Sequence, residues 1–187
     1  MSVLNRQKIR EAARVLRGGG VIVYPTEAVW GVGCDPQNRS AVMRLLAMKD
    51  REWQKGLILV GARVEDVEPY IDVPSRMAWR RATATWPGAS TWVFPATEHC
   101  PLWISGDRDT VAVRVTAHPV AAALCDAFGG AIVSTSANRA GDPPATSAGA
   151  ARLALRNRFD LLVPGALGGL DRPTVIRDAA NGNILRR

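Results

Sequence analysis

The segment Thr91-Trp-Val-Phe-Pro-Ala-Thr-Glu-His-Cys100-Pro-Leu-Trp-Ile-Ser-Gly-Asp-Arg-Asp-Thr110-Val-Ala-Val-Arg-Val115 decides the fold. Its two ends, Thr91–Pro95 and Thr110–Val115, are short β-branched and aromatic runs of the kind that fit a pleated, buried surface. No helix is expected between them, so two strands follow one another directly. A regular doubly wound sheet alternates strand and helix throughout, whereas a mixed sheet admits adjacent strands. The expected class is therefore α/β with an α+β-like mixed sheet.

Outward from this segment, helices and strands alternate. Ile9, Ala12, Ala13 and Leu16 recur at helical spacing over Asn5–Arg17, and Gly18-Gly19-Gly20 stops that helix. Val21–Tyr24 reads as a buried strand ending at Pro25, and Thr26–Asp35, with Gly31 and Gly33, as a loop at its end. Ser40 is the expected cap of a helix to about Lys49. A polar stretch, Lys49–Gly56, then leads into a strand over Leu57–Val60. Helices are expected at Val64–Tyr70 and Ser75–Thr85, from His118-Pro119 to Gly129-Gly130, and over Ser147–Phe159. Further strands are expected at Ala131–Ser134, Leu161–Val163, Thr174–Arg177 and Ile184–Arg186. With 187 residues, 47% of them apolar, and no internal repeat or long linker, the expectation is one domain over 1–187 with no additional C-terminal domain.

Composition removes several function classes. No apolar run approaches the ~20 residues that span a bilayer, and the N-terminus lacks a signal-peptide core, so a cytoplasmic protein without a membrane partner is expected. Cys34, Cys100 and Cys125 match neither a disulfide framework nor a zinc ligand pattern, and His99 and His118 have no partner at metal-ligand spacing. Hence no metal ligand is expected from protein side chains. There is no G-x-x-x-x-G-K-[ST] loop, and Gly18–Gly20 precedes a strand where a dinucleotide fingerprint would follow one. Neither histidine falls in a segment that reads as a site, which leaves no convincing Ser-His-Asp order.

The net charge of +7 suits a partner that is a nucleic acid or a polyphosphate. Among 24 basic residues only Lys8, Lys49 and Lys55 are lysines, and two of these flank Arg51 in one short loop. Lys49-x-Arg51-x-x-x-Lys55 supplies the fixed cations a triphosphate needs, including a guanidinium able to grip two oxygens. A solvated basic loop is the alternative reading of the same residues. Ser134-Thr-Ser-Ala-Asn138 sets hydroxyls and an amide at a strand end, fit for phosphate oxygens or for ordinary turn chemistry. Tyr24-Pro-Thr-Glu27 followed by Gly31-Val-Gly33 offers a hydroxyl, a carboxylate and close backbone approach, or a plain turn. Arg114 interrupts an apolar strand and, if it points inward, needs a carboxylate partner.

In order, Tyr24-Pro-Thr-Glu-Ala-Val-Trp-Gly-Val-Gly33, Lys49-x-Arg51-x-x-x-Lys55-Gly-Leu, Trp86-Pro-Gly, Val111-Ala-Val-Arg-Val115 and Ser134-Thr-Ser-Ala-Asn138 resemble the YrdC-like family in its short bacterial form, over nearly the whole chain. That resemblance implies a twisted α/β fold around a large concave positive cavity. It implies a nucleotidyltransferase reaction in which L-threonine, bicarbonate and ATP, with Mg2+, give L-threonylcarbamoyladenylate and diphosphate. A tRNA threonylcarbamoyl transferase complex would then carry the group to the adenosine beside the anticodon. By position, the resemblance implies that Thr26, Arg114, Ser134 and Thr174 face threonine. Lys49, Arg51, Lys55, Thr110, Ser136, Asn138 and Arg186 would face the nucleotide, with Lys49, Arg51 and Ser136 closest to the chemistry. Val60 and Pro144 depart from polar residues that some relatives carry there. A non-catalytic RNA-binding module, with weak RNA contact also compatible with catalysis, is one alternative; a carbamoyl-adenylating role as in hydrogenase maturation is another.

Overall fold

A computed structural model describes residues 5–171 and 174–186. Helix α1 (Arg6–Arg17) starts where the Asn5 side chain accepts the Lys8 N–H and buries Ile9, Ala12, Ala13 and Leu16 on one face. Strand β1 (Ile22–Pro25) is buried throughout. The expected loop after it contains a strand instead: β2 (Trp30–Gly33) pairs antiparallel with β1, from Ile22 opposite Gly33 to Pro25 opposite Trp30. The glycines that suggested a loop are there for close approach. A Cβ on Gly33 would stand 2.2 Å from the Val133 carbonyl oxygen, so only glycine lets β2 lie where it does.

Helix α2 (Arg39–Met48) is capped by Asn38, whose side chain accepts the Ala41 N–H, and not by Ser40. β3 (Ile58–Gly61) follows. The helix expected over Val64–Tyr70 is α3 (Val64–Val67) plus a 3-10 turn at Glu68–Tyr70, because Pro69 has no N–H with which to continue the α-helix. α4 (Arg76–Thr83) and β4 (Ser90–Pro95) come next. A one-turn helix, α5 (Leu102–Ser105), then interrupts the segment in which no helix was expected; Pro101 starts it and Gly106 ends it. β5 spans Thr110–Val115, and α6 (Pro119–Phe128) runs from a His118 cap to a left-handed Gly129. β6 (Ile132–Ser136) reaches two residues further than its apolar run suggests, taking in Thr135 and Ser136. α7 (Ala148–Ala154) stops well short of Phe159, with Arg156 and Asn157 both at positive φ. The short strands β7 (Leu161–Leu162), β8 (Val175–Asp178) and β9 (Ile184–Arg186) complete the described chain.

The strands form one mixed sheet in the order β7-β1-β2-β6-β3-β5-β4-β8-β9, with parallel pairs β7/β1, β3/β5 and β4/β8. The segment that opened the reading closes as an antiparallel β4/β5 pair, from Trp92 opposite Val113 to Pro95 opposite Thr110. On one face Leu59, Val113 and Val133 share a row and join the core under α2, α4, α5 and α7. On the other, Ile22, Tyr24, Val60 and Ile132 pack with α1 and α6. Arg114 and Ser134 belong to that second face, because Arg114 lies opposite Val60 and Ser134 opposite Ile58.

Candidate functional site

On the second face the sheet opens into a cavity of about 500 Å³. Among the described residues six cations line it, Lys49, Arg51, Lys55, Arg114, Arg139 and Arg186, and no carboxylate does.

The first wall is the exit from α2. Asp50 adopts φ +48, a left-handed conformation Asp tolerates, and turns the chain sharply after the Lys49 cap. The loop then docks on the α5–β5 turn. Gly56 at φ +66 lies so close to it that a Cβ would stand 2.9 Å from the Ser105 oxygen, and the Asp107 N–H donates to the Gln54 carbonyl at 3.2 Å. Arg51 folds back across this loop, donating from Nη2 to the Gly56 carbonyl at 2.9 Å, while its Nε is buried without a partner.

Lys49 is 3% exposed and ties this wall to the next. Its ammonium donates to the Ser136 carbonyl and, at 2.6 Å, to the Asn138 carbonyl, and its own carbonyl accepts the Ala140 N–H at 2.7 Å. An ammonium has three hydrogens, so one remains for a ligand. Burial, and then the neighbouring Arg51 charge, bring the Lys49 pKa down to about 8. Arg51 is likewise lowered, by burial first and then by Arg186 and Arg108, and burial lowers Arg186. Among the described residues none of these three has a carboxylate within ion-pair reach. Lys55 differs: half-exposed, it pairs with Glu52 at 3.1 Å. Arg139 pairs with Asp50 across the cavity rim.

The second wall is the end of β6. Asn138 donates from Nδ2 to the carbonyls of Arg139 at 3.0 Å and Asp142 at 2.7 Å, closing the turn that carries Gly141, and its Oδ1 is buried with no partner. Ser134 and Ser136 both line the cavity.

The third wall joins Thr26, Arg114 and Thr174. The Thr26 hydroxyl donates to the Val29 carbonyl at 2.7 Å, closing the β1–β2 turn, and Thr174 Oγ1 lies 3.4 Å from Thr91 Oγ1. Arg114 points inward and has the carboxylate that inward placement demands: its Nη1 is 3.3 Å from Glu27 Oε2. Thr116 Oγ1 donates to Glu27 Oε1 at 2.5 Å and accepts the His118 N–H at 3.1 Å. Sequence reasoning required a partner for Arg114 and noticed the Glu27 carboxylate without joining the two. It also set both histidines apart from any site, yet His118 stands beside this corner. Its Nδ1 accepts the Ala121 N–H, so Nε2 donates to the Ala166 carbonyl at 3.0 Å, and burial lowers its pKa.

Thr110 does not line the main cavity. It lines an adjoining one of about 390 Å³ with Arg108, and the two cavities share Arg51, Lys55 and Arg186. Pro144 is on the main cavity wall, whereas Val60 is wholly buried against Ile132 and α6. Among the described residues there is no cluster of three metal-binding side chains and no helix long and apolar enough to cross a membrane. No histidine or cysteine lines the main cavity, and burial raises all three thiols, Cys100 to about 11. The arrangement is suited to binding and orienting anions.

The Sua5/YciO/YrdC family model, described as telomere recombination, matches residues 14–187. A threonylcarbamoyl-AMP synthase of Halorhodospira halophila is 56% identical over 181 residues, covering 96% of this chain and 94% of the relative. One of Alkalilimnicola ehrlichii is 53% identical, covering 97% and 96%. A crystal structure of Sua5 from P. abyssi complexed with L-threonine superposes with a TM-score of 0.89 at 31% identity; it covers 96% of this chain, which spans only 53% of that longer protein.

Proposed function

This chain belongs to the Sua5/YciO/YrdC family, and on that premise we propose that it is an enzyme that condenses L-threonine, bicarbonate or CO2, and ATP into L-threonylcarbamoyladenylate and diphosphate. The observation that carries the reading is the pairing of two unlike ends in one cavity. Lys49, Arg51 and Arg186, with no carboxylate in ion-pair reach among the described residues, are suited to a polyanion and line the cavity with Ser136 and Asn138. Arg114 stands with Thr26, Ser134 and Thr174, suited to the single carboxylate and the hydroxyl of threonine.

The chemistry asks little of the protein beyond position and charge. Threonine's amine, once deprotonated, attacks CO2, which bicarbonate supplies by protonation and loss of water, and releases one N–H proton to solvent to give a carbamate. A carbamate oxygen then attacks the α-phosphorus, and the bond to the β-phosphate bridging oxygen breaks as diphosphate leaves. Arg114 holds the amino acid by its carboxylate while Thr26, Ser134 and Thr174 supply hydrogen bonds to its polar atoms. Lys49 fixes the backbone of Ser136 and Asn138 and offers its remaining N–H to the phosphates; Arg51 and Arg186 take up charge as diphosphate forms. Lys55 and Thr110 extend the nucleotide side into the adjoining cavity. Magnesium enters as part of the substrate MgATP: with no carboxylate lining the cavity among the described residues, phosphate oxygens would hold it, and the neutral oxygens of Ser136 and Asn138 fit the remaining positions.

The product is a reactive mixed anhydride. A tRNA threonylcarbamoyl transferase complex in the cytoplasm would consume it, and the net charge of +7 is compatible with weak RNA contact during hand-over. The near-complete mutual coverage with the two bacterial synthases supports a single domain of this size as sufficient for the chemistry. Incubation with MgATP, threonine and fresh bicarbonate is expected to release diphosphate in proportion to threonylcarbamoyladenylate, followed by mass spectrometry. Absence of threonine-dependent diphosphate, or equal release when carbamoyl phosphate replaces threonine and bicarbonate, removes the proposal.

A further inference from the structure

Arg114 is 5% exposed, near the end of the interior strand β5, where an unpaired guanidinium would be costly. Glu27, 7% exposed, is the one carboxylate within 4.0 Å of it among the described residues. Glu27 is held both at its carboxylate and along its backbone. Thr116 donates to Oε1 at 2.5 Å, and the Thr116 hydroxyl is itself held by the His118 N–H. The backbone of the same turn is tied to the segment after β7: Gly168 N–H donates to the Thr26 carbonyl and Leu170 N–H to the Glu27 carbonyl, each at 3.0 Å. Gly168 passes so close that a Cβ there would stand 2.8 Å from Glu27 Cα.

The ion pair is nevertheless incomplete. At 3.3 Å, Glu27 Oε2 makes no hydrogen bond, and Arg114 Nε is also buried without a partner. One edge of the guanidinium is thus restrained by Glu27 while the residue also lines the cavity. We propose that Glu27, held by Thr116, is a positioning residue that aims Arg114 at the carboxylate of the amino-acid substrate and so sets selectivity for an α-amino acid over its carboxylate-free analogues. The inference rests on the amino-acid reading of this end of the cavity. Arg114 alone carries the charge, but a guanidinium grips a carboxylate with two parallel N–H groups, and that grip depends on the plane in which it is held.

The test uses Glu27→Gln and Thr116→Val in the full chain, each checked for a cooperative thermal transition. Glu27→Gln is expected to raise the threonine KM about ten-fold with the ATP KM changed by less than about two-fold; Thr116→Val, which keeps both charges, shifts threonine alone by about three-fold. A second readout is the preference for L-threonine over L-threoninamide, measured by competition: wild type discriminates, and both variants discriminate less. A general loosening of the cavity would raise both KM values and leave the preference unchanged, which overturns the proposal. So does a wild-type threonine KM in a folded Glu27→Gln. Should Glu27→Gln fail to fold, Thr116→Val decides: an unaltered threonine KM and preference overturn the proposal. Wild-type turnover separates the two levels. If wild type makes no adenylate, the underlying reading falls; if wild type is active and the variants match it, only the role of Glu27 falls.

Discussion

The two ends of the cavity handle positive charge in opposite ways. At the Arg114 end the guanidinium is matched by Glu27, one for one, inside a network reaching Thr116 and His118. At the Lys49 end three cations, Lys49, Arg51 and Arg186, have no carboxylate within reach among the described residues, and burial lowers the pKa of each. A monoanionic ligand needs direction more than charge, and a counter-ion that fixes the guanidinium supplies direction. A triphosphate brings several charges, and cations neutralised beforehand would have to give up their partners to receive it. The Lys49 end therefore holds unfavourable electrostatic energy that only an anion relieves.

The largest test of this contrast is Arg51→Ala. If the uncompensated end is built for phosphate, losing Arg51 is expected to raise the ATP KM or lower kcat/KM by about a hundred-fold while the threonine KM stays near wild type. The same variant should unfold at a temperature no lower than wild type, since it removes a half-buried, like-charge neighbour of Lys49 and Arg186. Steady-state kinetics and a thermal melt check both. A clear loss of stability with little kinetic effect would make Arg51 a structural residue and erase the distinction between the ends.

How far this contrast was legible in the sequence depends on distance along the chain. Lys49, Arg51 and Lys55 are neighbours, and Ser134, Ser136 and Asn138 are neighbours, so each cluster could be seen by spacing. β5 kept its bounds, Thr110–Val115, because its alternating apolar pattern is local. The Arg114–Glu27 pair joins β5 to the β1–β2 turn, far apart in sequence, and only the sheet order β1-β2-β6-β3-β5 brings them together. β2 escaped for a related reason. Gly31 and Gly33 suit a loop when read locally, but the need for Gly33 comes from the carbonyl of Val133 on a strand a hundred residues away. Helix caps failed on a finer scale: Asn38 and Ser40 are both good caps, and the Asp35 side chain, which accepts the Gln37 N–H, shapes the turn that gives the role to Asn38.

A middle-sized test uses pH. With its pKa lowered to about 8, Lys49 is charged at neutral pH and loses its charge across the range just above. ATP affinity is therefore expected to fall, by about ten-fold, between pH 7.5 and 9, in wild type but not in Lys49→Met, which is weak throughout. Stability runs the other way. The unfolded chain keeps this lysine protonated up to its ordinary value near 10.5, so between about 8 and 10.5 the unfolded state binds more protons, and the Lys49 contribution to stability rises with pH. Wild type should thus gain melting temperature relative to Lys49→Met as pH increases over that window. Affinity and stability moving in opposite directions is what an uncompensated binding cation requires. Both moving together would mean that Lys49 acts only through its bonds to the Ser136 and Asn138 carbonyls.

Lys55 offers the smallest effect and the finest discrimination. It belongs to the same sequence cluster as Lys49 and Arg51, and it lines both cavities, yet it is half-exposed and already paired with Glu52. By the logic of the contrast it should matter little, since its charge is both screened by water and partly balanced before the nucleotide arrives. Lys55→Ala is expected to raise the ATP KM by no more than about three-fold at 0.15 M salt, and less at 0.5 M, because an exposed charge acts over a distance that salt shortens. The Arg51→Ala effect should survive the same increase in salt better, since Arg51 is half-buried and less of its guanidinium meets the solvent than of the exposed Lys55 ammonium. If Lys55→Ala proved as damaging as Arg51→Ala and equally insensitive to salt, Lys55 would have to leave Glu52 and close on the phosphates, and proximity in sequence would then predict function better than the burial seen in the fold.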